Sequence, residues 1–137
     1  VLRGSDPFQA HAIPRHAAIA RLRQVLLNLV LRLRASYALD SQREERLVVL
    51  LADTAGPLRA SAAEILELES GQRLPPREAI EQMARTLPGE GWPQVLEAVT
   101  EARHNRTLPA GTTGPMLVKT IDLANHLLRR AMALETR

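Results

Sequence analysis

The sequence predicts an all-α fold, an antiparallel helical bundle of three long helices with a short helical pair inserted before the last. Three observations predict it. Apolar residues recur at 3-4 spacing through most of the 137 residues, and no segment sustains period-two alternation. Proline and glycine fall in clusters that cut the chain into helix-sized pieces. Aromatics make up only 2% (Phe8, Tyr37 and Trp92), so the 45% of hydrophobic residues must form an aliphatic core. At 15.1 kDa the chain suffices for one helical domain, residues 1–137. It begins at Val1 and not at Met, and reads as a fragment or processed product of a longer chain.

Pro14 suits the first turn of a helix running to about Leu39, because its fixed φ fits and its missing N–H is an orphan there anyway. Ile19, Leu22, Leu26, Leu29 and Leu33 form one stripe along it. Leu27, Val30 and Leu31 lie outside that stripe and widen the apolar surface past half the circumference. A helix this apolar belongs at the centre of the bundle or meets a second partner, so these three residues are the candidate interface.

Ser41-Gln42-Arg43-Glu44 reads as a capping box opening the second helix. Leu47, Leu51, Ala55, Leu58, Ala62 and Ile65 keep phase across Gly56-Pro57. One kinked helix over residues 41–70 is therefore expected, with two collinear helices as the alternative. Gly71 supplies the left-handed stop. The stiff connector Gln72–Pro76 precedes a short helix from Arg77 to Leu87, carrying Ile80, Met83, Ala84 and Leu87 on one side. After Pro88-Gly89-Glu90-Gly91, Pro93 opens another short helix to about His104, with Trp92, Val95, Leu96, Val99 and Ala102 apolar. Residues 105–115 are a loop, and Pro115 opens the last helix, striped by Leu117, Ile121, Ala124, Leu128 and Ala131.

Catalytic and cofactor chemistry is missing from the pattern. There is no cysteine, no His-Glu-x-x-His, no nucleophile elbow and no phosphate-binding glycine loop. His11 and His16 stand five apart, the wrong spacing for a helical zinc pair, and His104 and His126 lie apart from them. Glu64 and Glu67 share a helix face but lack the Glu-x-x-His partners of di-iron bundles, so they read as a solvated acidic face. Gly111–Pro115 reads as a helix-entry turn ahead of an anion site. The expectation is a protein that is not an enzyme, with no metal and no cofactor.

Charge carries the functional inference. Residues 1–39 hold six arginines against Asp6, a net of +5; residues 40–102 hold six arginines against twelve acids, a net of −6; residues 103–137 hold five arginines and Lys119 against Asp122 and Glu135, a net of +4. An acidic middle repels a duplex, and three aromatics are too few to stack bases, so nucleic acid is not an expected partner. No apolar run approaches the ~20 residues of a membrane span. Basic ends are what the cytoplasmic leaflet selects beside such spans. Arg15, Arg21, Arg23, Arg129 and Arg130 are therefore the candidate membrane-proximal residues. In an ordinary bundle the same arginines would pair with acids of the second helix.

The run Ala62-Ala63-Glu64-Ile65-Leu66-Glu67-Leu68-Glu69-Ser70-Gly71-Gln72-Arg73-Leu74-Pro75-Pro76 resembles the soluble segment of the fusaric acid resistance, or aromatic acid exporter, family. There an alanine- and leucine-rich helix leads into a Gly-x-x-Leu-Pro connector. The resemblance covers residues 45–135 in pattern and about fifteen in letters. It implies a non-catalytic cytoplasmic domain of an inner-membrane efflux protein, acting in assembly or regulation. Its partners would be the membrane-embedded parts of the parent or a second copy of itself, and a small-molecule ligand is compatible with it. The rival expectation is a ligand-sensing or dimerisation bundle of a bacterial regulator, in the cytoplasm.

Overall fold

The computed structural model describes the backbone of residues 7–136 and the side chains of residues 14–136. Arg3, Asp6, Phe8 and His11, which entered the charge, aromatic and metal arguments, lie outside the described side chains. The described chain is all-α, with five α-helices and no strand among the described residues. They are α1 (Pro7–Asp40), α2 (Glu44–Ser70), α3 (Pro76–Ala84), α4 (Trp92–Asn105) and α5 (Thr113–Ala133), followed by a 3₁₀ turn at Leu134–Thr136.

Pro14 is not the start of α1: the helix is already running at Pro7 and continues through it. Pro14 itself is exposed, and it removes one backbone hydrogen bond from the helix and crowds the turn before it. The capping box does not form either. Ser41 lies in a turn, Arg43 takes the N-cap position, and no side chain caps the helix. The Glu44 carboxylate is drawn elsewhere, accepting from the Gly111 amide at 2.8 Å, 67 residues away. That contact ties the turn before α5 to the start of α2. α2 is one uninterrupted helix across Pro57, and Gly71 ends it at φ 75°, donating its N–H to the Glu67 carbonyl.

Side-chain contacts set the helix directions. Tyr37 approaches Gly114 while Arg23 reaches Glu135, so α1 and α5 run oppositely. Glu44 meets Gly111 and Glu69 meets Arg130, so α2 and α5 run the same way. The central helix is α2, which packs against all four others, and not α1, which packs chiefly against α2 and α5. The reason lies in residue size. Besides Leu47, Leu51, Leu58 and Ile65, α2 buries Ala52, Thr54, Ala55, Ser61 and Ala62, and such small side chains let neighbours approach from several sides. Thr54 returns its hydroxyl to the Leu50 carbonyl at 2.8 Å, which makes its burial affordable. The expected α1 stripe is all in the core, with Leu26 and Leu33 fully buried. Each such leucine contributes about 1.5–3 kcal/mol by leaving water.

Candidate functional site

Two surfaces carry unusual chemistry: the outward face of α1 and a cleft between α3 and α4. On α1, Val30 is not available to a partner. It is 3% exposed and belongs to the core, because it sits only about 40° from Leu26 on the helical wheel. Leu27 and Leu31 stand 100° and more from Leu26 by the same geometry, and they remain 41% and 55% exposed. Val25 on the other flank is 48% exposed. Ala20, Gln24, Leu27, Leu31, Ala35 and Ala38 are all exposed at 3-4 spacing, a seam that no other helix of the chain covers.

The five arginines singled out from the charge map divide into two groups. Arg15 donates to the Leu68 carbonyl at 2.9 Å, tying α1 to the C-terminal end of α2. Arg23 pairs with Glu135. Arg130 grips Glu69 with two parallel N–H donors, at 3.0 and 2.6 Å, and also donates to Thr86 Oγ1. These three hold helices together. Arg21 and Arg129 are exposed and have no carboxylate within 4 Å among the described residues. Arg21 does act on Glu64: burial, with help from Glu67, raises the Glu64 carboxyl above the ordinary carboxylate value, and Arg21 pulls against that rise.

The second surface went unrecognised in the sequence. Pro88–Gly91 folds back with Gly89 and Gly91 at positive φ, and the Trp92 indole donates to the Pro88 carbonyl at 3.1 Å. Behind Trp92, the His126 ring packs edge-on with centroids 5.6 Å apart. Trp92 thereby becomes a fixed wall of a cleft of about 540 Å³. One ridge is Arg77 and Glu81 on α3 with Arg85 at its C-cap, at i, i+4 and i+8; the other is Trp92, Leu96 and Thr100 on α4, at the same spacing. A shallow recess continues inward to Arg59 on α2, sharing Arg77, Glu81, Leu96 and Thr100 with the cleft. Arg59 donates to Thr100 Oγ1 at 3.0 Å. Partial burial, then the nearby Arg77 and Arg103 guanidiniums, hold Arg59 below the ordinary arginine value, while Glu81 works the other way. The signal in the sequence is the matching i, i+4, i+8 spacing, but periodicity marks Trp92 and Leu96 only as apolar and does not reveal the cleft between α3 and α4 beside them.

No group of three or more His, Asp or Glu is arranged to hold a metal ion among the described residues. No described helix is long and apolar enough to cross a membrane. Compared with protein-family models, curated proteins and solved structures, the chain has no match.

Proposed function

We propose that this chain is a non-catalytic helical domain at the cytoplasmic face of the inner membrane, part of an efflux or transport protein, where it serves assembly or regulation. The reading takes the architecture as an antiparallel bundle of three long helices with the short pair inserted before the last. One observation carries it. From Pro14 to Leu39, α1 has no carboxylate and five arginines, of which Arg21, Arg32 and Arg34 are exposed with no carboxylate within 4 Å among the described residues, and its outward side mixes Arg21 with exposed Val25, Leu27 and Leu31. Anionic headgroups attract each such cation by about 1 kcal/mol, and apolar side chains on a basic helix face settle into the headgroup boundary. The efflux assignment rests on the resemblance of Ala62–Pro76 to the exporter family.

Co-sedimentation with phosphatidylglycerol and phosphatidylcholine vesicles tests the orientation. The chain is expected to bind the anionic vesicles alone, to release them as salt rises, and to lose them in the L27D/L31D variant. Equal binding to both vesicles, or to neither, overturns it. The reading frame around the chain should also encode apolar spans of about 20 residues. The regulator reading gains instead if light scattering gives a dimer mass that L27D/L31D halves, since Leu27 and Leu31 are exposed one turn apart.

A further inference from the structure

The α3–α4 cleft has the volume and the wall chemistry of a ligand site. Its size, about 540 Å³, lies within the range that holds a small organic molecule. Trp92 has already spent its indole N–H on Pro88, so what it presents beside Leu96 is apolar surface without an unmet polar demand. The inner end is different. Arg77 and Arg103 lie close enough to act on Arg59, with Glu81 as the opposing charge. Glu81 holds Arg77 loosely, at 3.6 Å between side chains that are both largely exposed. Arg59 makes a single hydrogen bond among the described residues, to Thr100, out of the five N–H donors that a guanidinium carries. The cleft, which Glu81 and Glu97 also line, thus joins an apolar wall to an inner end where the donors of Arg59 are mostly unspent.

We propose that this cleft binds a small organic anion with an apolar tail, its head between Arg59 and Arg77 and its tail along Leu96 and Trp92. A neutral molecule leaves the guanidiniums unanswered, and a cation is repelled by them. The site stands apart from the face of α1, so its fate does not depend on whether that face meets a membrane.

Trp92 is the single tryptophan, so its emission reports the site directly. Octanoate, octanamide and octylammonium share one tail under an anionic, a neutral and a cationic head. Octanoate should give a saturable one-site change, about tenfold tighter than octanamide, and octylammonium should give none. Arg77→Gln should weaken octanoate by about tenfold with octanamide barely changed and the circular dichroism unaltered. Arg85→Gln, two turns along the same ridge, should cost less than about threefold. Octanoate no tighter than octanamide overturns the proposal, as does an Arg77→Gln variant that binds octanoate unchanged or loses both probes equally. A larger loss from Arg85→Gln than from Arg77→Gln overturns the placement of the head.

Discussion

Glu64 shows how one residue reports its surroundings. Its carboxyl, half-buried on α2, is held above the ordinary carboxylate value by burial first, against the opposing pull of Arg21 and with a smaller push from Glu67. A carboxyl raised in the folded state binds its proton more tightly folded than unfolded. Its favourable contribution is therefore complete below the unfolded value, near pH 4.3, and is lost as pH rises through the folded value. Glu64→Gln mimics the protonated form at every pH. Its thermal midpoint should match the parent's in acid and exceed it at neutral pH, with the gap opening as pH rises. Arg21→Gln should enlarge the neutral-pH penalty in the parent background and leave the Glu64→Gln protein unaffected. A gap between Glu64→Gln and parent that is constant across the titration would mean that the carboxyl is not in fact perturbed.

Helices stop where a residue can turn left-handed, and two stops in this chain do so with opposite chemistry. Gly71 closes α2 at φ 75°, and a Cβ there would meet nothing within 4 Å. Arg106 closes α4 at φ 57° with a side chain in place, and its guanidinium lies 3.8 Å from Asp53. The strain at both is in the backbone alone. Gly71→Ala should cost about 1 kcal/mol and Arg106→Gly should gain somewhat less, the exposed ion pair offsetting little. Chemical denaturation of both variants checks the pair. If Gly71→Ala is neutral, α2 must end in some other way. Stops of this kind were legible: Gly71 was read directly as a stop, because only conformation decides there. Starts were not. Ser41 and Glu44 have the letters of a capping box, yet Glu44 reaches Gly111 across 67 residues, and no local pattern records a partner that distant. Pro14 misled too, because α1 runs on through it although a proline inside a helix loses one hydrogen bond and crowds the turn before it.

For the molecule as a whole, periodicity could place the helices but not say which one is central. The long apolar runs of α1 pointed to α1. Centrality depends instead on how many sides of a helix admit neighbours, and α2 gains it through alanines, serine and threonine that hydropathy scores as indifferent. The cleft was hidden because it lies between two helices and belongs to neither alone. The charge map has a similar limit: a sum over a segment cannot separate arginines that brace the fold from those that face outward. Arg130 and Arg129 make that separation measurable within two adjacent residues. Glu69 keeps only 13% of its side chain exposed and receives two donors from Arg130, which also joins Thr86 beyond α3. Arg130→Gln leaves that carboxylate half-paired in a mostly dry site and should lower stability by about 2 kcal/mol. Arg129 is exposed with no carboxylate within 4 Å among the described residues, so Arg129→Gln should move stability by less than about 0.5 kcal/mol. On phosphatidylglycerol vesicles the order should reverse. Arg129→Gln should weaken binding by about fivefold, the equivalent of 1 kcal/mol. The double variant Arg130→Gln/Glu69→Gln, which removes the ion pair without changing the net charge, should bind nearly as well as the parent where it is still folded.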